Sequence, residues 1–82
     1  MVMRVLIIGG YGNFGSYIAK SLADDPAIQL LIGGRSREKA FRFIASLKTA
    51  NSAEPHAIDI DCDLGAALAR IDPQLVVHTT GP

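Results

Sequence analysis

The sequence has no tryptophan, a single cysteine and no net charge, eight Lys and Arg standing against eight Asp and Glu. Each absence removes a class of protein. One thiol, Cys62, cannot close a disulfide within the chain, so a disulfide scaffold is excluded and a reducing, cytoplasmic setting is expected. Cys62 itself reads as a small buried apolar residue rather than a nucleophile. Balanced charge gives no reason to expect nucleic acid or an anionic membrane as partner. No apolar run approaches the ~20 residues that cross a bilayer. The opening stretch Met1 to Ile8 carries one Arg and runs into glycines with no small-residue cleavage site, which argues against a signal peptide.

What is present is globular: 49% hydrophobic and 20% charged residues in 82 positions, enough for one small domain. A domain of this size buries only about 60% of its unfolded surface, so it gains from a ligand, a partner or more chain. The charges are unevenly placed. Arg35, Arg37, Lys39 and Arg42 cluster, and Asp59, Asp61 and Asp63 gather further on. A local basic cluster in a neutral chain fits a small anionic ligand better than a polyanion.

The hydrophobic pattern alternates between two periods. Val2 to Ile8 is a near-continuous apolar run, the signature of a strand buried on both faces. From Asn13 to Ala23, Phe14, Ile18, Ala19, Leu22 and Ala23 recur at helical spacing, and Asp24-Asp25-Pro26 ends the helix. Ile28 to Ile32 is a second strand, closed by Gly33-Gly34. Ser36 is the expected N-cap of a helix reaching about Lys48, with Ala40, Phe41, Ile44 and Leu47 inward. Pro55 to Ile60 reads as a short third strand. Asp63 caps a helix carrying Leu64, Ala67, Leu68 and Ile71, and Leu75 to His78 is a fourth strand. The order β-α-β-α-β-α-β predicts an α/β, Rossmann-type open parallel sheet in three layers, strand order 3-2-1-4. As the sequence stops at Pro82 where another helix is expected to begin, the chain is expected to be the first half of such a sheet, truncated, with its remaining cofactor half and a substrate domain elsewhere. The apolar fourth strand at an open edge then predicts self-association of the isolated chain.

Gly10-Tyr11-Gly12-Asn13-Phe14-Gly15 fits G-x-G-x-x-G, and Gly9, Gly12 and Gly15 also fit a G-x-x-G-x-x-G register. In such a loop the first glycine makes the turn out of the strand. The middle one lets a diphosphate approach the backbone, and the last lets the helix pack closely. The helix N-terminus then presents the N–H groups of Asn13 and Phe14 to the phosphates. The loop follows a strand and opens a helix, the context that gives the motif its meaning. Tyr11 either covers the diphosphate or faces solvent.

The end of the second strand chooses the dinucleotide. An NAD or FAD site places Asp or Glu there for the ribose 2′-OH. Here the residues are Gly33-Gly34-Arg35-Ser36. Arg35 can fork onto a 2′-phosphate, Ser36 can add its hydroxyl, and Arg37 and Lys39 are secondary candidates. The expected cofactor is therefore NADP, with NAD less favoured. At the end of the third strand, Asp59 or the Ile60 backbone can meet adenine. No His or further acid is spaced to make a metal or acid–base site of Asp59 and Asp61. His78 reads as a hydrogen-bonded packing residue. Thr79, Thr80 and Gly81 lie at the switch point and are expected to line the diphosphate and its ribose.

Three segments carry a resemblance: Val5 to Gly15, Leu31 to Ser36, and Leu75 to Pro82, the last ending a strand in Thr-Gly-Pro. Together they resemble the N-terminal NADP-binding domain of saccharopine dehydrogenase-like oxidoreductases over nearly the whole chain. The resemblance implies a larger, oligomeric enzyme that oxidises or reduces a secondary amine joining amino-acid skeletons, with its catalytic residues beyond Pro82. The competing expectation is a non-catalytic NADP sensor similar to NmrA-like proteins, which the second glycine register also suits.

Overall fold

Four consecutive residues of the first strand, Val5, Leu6, Ile7 and Ile8, are all buried. Side chains of a strand alternate between its two faces, so both faces of this strand must be covered. The computed structural model, which describes residues 2–62 and 64–79, shows how. The chain forms β1 (Met3–Ile8), α1 (Asn13–Leu22), β2 (Ile28–Gly34), α2 (Arg37–Ala45), β3 (Glu54–Ala57), α3 (Leu64–Ile71) and β4 (Leu75–His78). Among the described residues the four strands make one sheet in the order β3-β2-β1-β4, every pairing parallel. The expected α/β Rossmann-like architecture is the observed one.

The alternation divides the core in two. Val5, Ile7, Leu30 and Ile32 face one side and pack with Ala19 and Ala23 of the α1 segment and Ala40 of α2. Leu6, Ile8 and Leu31 face the other and pack with Ala67 and Ile71 of α3 and with Ile58. Right-handed crossovers explain the division. The chain steps from β1 to β2 to β3 in one direction, which puts α1 and α2 on one face. It then returns past β1 to β4, which puts α3 on the other.

Several boundaries and orientations differ from the sequence reading. β3 runs over Glu54–Ala57 rather than 55–60. Ile58 is buried against α3, and Ile60 packs beside it; the Ile58 N–H still bonds the Gly34 carbonyl of β2 at 2.7 Å, and the chain turns away after it. α2 stops at Ala45 because the N–H groups of Ser46 and Leu47 bond back three residues, to Phe43 and Ile44, and tighten the last turn. Its inner stripe is Ala40, Phe43 and Ile44, with Leu47 beyond its end packing on the same cluster, while Phe41 is exposed. Cys62, expected inside, is exposed, because it closes a turn in which its N–H bonds the Asp59 carbonyl. His78 ends an edge strand and is exposed rather than packed. Leu75 and Val76 of that strand are also exposed, the surface the expected self-association would use. Asp63, Thr80 and Gly81 lie outside the described residues. No helix among the described residues is long and apolar enough to cross a membrane.

Candidate functional site

Parallel register brings the strand ends together. Ile8 of β1 stands beside Gly33 of β2 and His78 of β4. Ala57 of β3 stands beside Gly34. The four segments that follow therefore leave the sheet at one edge, at the point where the connections diverge to opposite faces. In open α/β sheets this is where ligands bind.

The glycine loop is built on close backbone contact. Gly9 has φ 84°, a left-handed conformation that favours glycine. Its carbonyl accepts from the Gly12 N–H at 2.9 Å. A side chain on Gly15 would overlap that same carbonyl and lie 2.8 Å from Thr79 Oγ1. Thr79 is tied in turn to Ile8, its N–H and hydroxyl both donating to the Ile8 carbonyl, at 3.0 and 2.7 Å. The turn glycine is thus Gly9, and the operative register is Gly9, Gly12, Gly15. Gly10, expected at the turn, instead clears space for Ile32, 2.9 Å from where its Cβ would be. Gly12 precedes α1 as its N-cap and makes no side-chain cap bond. The first turn of a helix leaves its amides without intrahelical acceptors, so those of Asn13 and Phe14 are available to an anion.

The second loop faces the first across Tyr11. The Ser36 N–H donates to the Tyr11 hydroxyl at 3.1 Å. The Tyr11 ring lies so close over Gly34 that no Cβ would fit there. Tyr11 therefore joins the two loops and lines the cleft between them, and its ring does not stand free in solvent. Ser36 caps α2 by accepting from the Lys39 N–H at 3.1 Å, which leaves its hydroxyl hydrogen to donate elsewhere. Arg35 reaches the turn after β3 and donates to Asp61 Oδ2 at 3.0 Å. The Asp59 carboxyl is held below the usual carboxylate range. The Asp61 N–H bonding to it is the largest cause, followed by Cys62 and the nearby charge of Arg35.

Between these loops lies a cleft of about 610 Å³, within the size range of small-molecule sites. Of the residues singled out in the sequence, Tyr11, Gly12, Asn13, Phe14, Gly15, Arg35, Ser36, Ile60 and Thr79 line it. Gly10, Arg37 and Asp59 do not. Gly9, the first glycine of the second register, also lines it, as does Lys39, and Gly34 joins them without having been expected there. One wall offers amides at a helix N-terminus and the other a guanidinium, an ammonium and a hydroxyl. That donor set fits the phosphates of a dinucleotide.

The fold and this cleft define a Rossmann-type nucleotide-binding domain. Comparison with protein families agrees: a model described as KR domain matches residues 4–76. The chain belongs to that family, the ketoreductase-type NAD(P)-binding modules of oxidoreductases. No curated protein matches the chain.

Proposed function

We propose that the cleft holds the adenosine and diphosphate end of NADP. One observation carries the choice over NAD: Arg35 and Ser36, at the end of β2, line the same cleft as the glycine loop, and the residues that end the strand, Gly33 to Ser36, include no Asp or Glu. In this reading the amides of Asn13 and Phe14 take the diphosphate, and Gly12 leaves room for it. Arg35 and Ser36 take the 2′-phosphate, with Lys39 adding positive charge. Ile60 lies against the adenine and Thr79 borders the diphosphate side. When bound, the nicotinamide supplies or accepts a hydride.

Arg35→Ala is expected to weaken NADP binding roughly tenfold to a hundredfold, the range of a charge-assisted bidentate contact, while NAD binding stays nearly unchanged. Calorimetric titration with each dinucleotide reads this directly. Equal loss of both would show that Arg35 supports the fold instead.

The resemblance to saccharopine dehydrogenase-like enzymes supports a finer reading, hydride transfer at the carbon–nitrogen bond of a secondary amine, with a second domain supplying the substrate-facing groups. The KR-domain match supports the oxidoreductase class without that choice of bond. The Gly9, Gly12, Gly15 register favours the sensor alternative equally well. Turnover of NADPH by the whole protein, with a 2-oxo acid and an amino acid together as substrates, separates the readings: oxidation requiring both supports carbon–nitrogen chemistry. Oxidation with the oxo compound alone supports carbonyl reduction, and tight binding without turnover supports the sensor.

A further inference from the structure

The end of β2 has no acid in sequence, yet the fold brings one to it. Asp61, from the turn after β3, pairs at 3.0 Å with Arg35, which lines the cleft. We propose that Asp61 sets cofactor specificity by competing with the 2′-phosphate for Arg35, so that it restrains NADP binding and leaves NAD binding alone. The inference rests on the reading of Arg35 as the 2′-phosphate ligand.

The chemistry of the pair supports it. The guanidinium presents its donors in a fixed fork, and Asp61 takes one of them, Nη2; a phosphate that grips the fork through that nitrogen competes with Asp61 for it. A phosphate carries more negative charge than a carboxylate and makes the stronger bidentate pair, so it displaces Asp61. The displaced carboxylate then stays close to the incoming phosphate and repels it, which adds to the cost. NAD carries a 2′-hydroxyl, has no call on the guanidinium, and can bind with the ion pair closed. Both side chains are largely exposed, 74% and 71%, so the pair is weak and acts as a graded restraint rather than a block. The tether of the turn keeps Asp61 in place: its N–H donates to Asp59 Oδ1 at 3.0 Å, a backbone bond that a substitution at Asp61 retains.

The test is a cycle of four proteins, wild type, Asp61→Asn, Arg35→Ala and the double variant, each titrated with NADP and with NAD at low ionic strength, where exposed charges are least screened. Circular dichroism confirms that each is folded. Asp61→Asn is expected to tighten NADP binding about two- to fivefold, the range of an exposed ion pair, with NAD unchanged. In the Arg35→Ala background the same substitution is expected to lose most of that effect. If Arg35→Ala removes a preference for NADP but Asp61→Asn alters nothing, the inference about Asp61 fails and the NADP reading stands. If Asp61→Asn tightens NADP equally with and without Arg35, competition for Arg35 is overturned. If none of the four proteins distinguishes the two dinucleotides, the NADP reading fails and this inference falls with it.

Discussion

Gly15→Ala is expected to destabilise the fold by at least about 2 kcal/mol, although alanine is the better helix former. The propensity gain from replacing a helical glycine is about 1 kcal/mol. Against it stands a Cβ that would overlap the Gly9 carbonyl and crowd Thr79. Overpacking typically costs 1–3 kcal/mol when side chains can yield, and about that much or more when the obstacle is backbone. Here the obstacle is the turn that joins β1 to α1, fixed by the left-handed Gly9 and by two bonds from Thr79 to Ile8. A domain of 82 residues has on the order of 4–12 kcal/mol of stability in all. The loss should lower the melting temperature by roughly 8–16 °C. An unchanged or raised melting temperature would mean that α1 does not pack on the loop as closely as described.

Gly12→Val separates ligand space from fold. Gly12 has φ −78° and ψ 176°, an extended conformation open to any residue, and a Cβ there meets only the Gly9 carbonyl, at 3.3 Å. The variant should therefore fold. Its branched side chain would stand at the mouth of the helix N-terminus, where the diphosphate must approach the Asn13 and Phe14 amides. Losing two charge-assisted bonds weakens binding about a hundredfold or more. Circular dichroism and calorimetry together read the two halves of this expectation. A folded variant that binds either dinucleotide at full strength would remove the diphosphate from this loop.

The pair also shows what was legible in the sequence. The glycine spacing located the loop, but two registers fitted it, and only the left-handed φ of Gly9 separates the turn glycine from Gly10, which makes room for Ile32. The parallel sheet followed from the alternation of apolar runs and helical spacing, and the order 3-2-1-4 from the Rossmann-type reading of the glycine loop that opens it. Phe14 and Phe41, both read as apolar members of a helical stripe, are exposed, and the two misreadings have a common cause. Phe14 and Phe41 each lie one residue from an inward stripe, at Gly15 and Ala40, and one residue is about 100° around a helix. The end of β3 was overextended because Ile58 and Ile60 continue the apolar pattern past Ala57 while packing in the core cluster on the α3 face. Contacts between loops were beyond pattern reading altogether. Tyr11 and Ser36 are 25 residues apart in sequence, and Arg35 and Asp61 are 26 apart. No local period links such residues, and the pairings exist only once the strand ends are aligned.

The central claim, that NADP lies in this cleft with its 2′-phosphate at Arg35 and Ser36, is tested most directly by a two-dimensional amide NMR titration of the isotope-labelled protein with NADP and then with NAD. The account predicts that both ligands shift the amides of Gly12, Asn13, Phe14 and Thr79, and that NADP alone adds large shifts at Arg35, Ser36 and Lys39. Shifts from NADP confined to other surfaces, or identical patterns from the two dinucleotides at the end of β2, would contradict it.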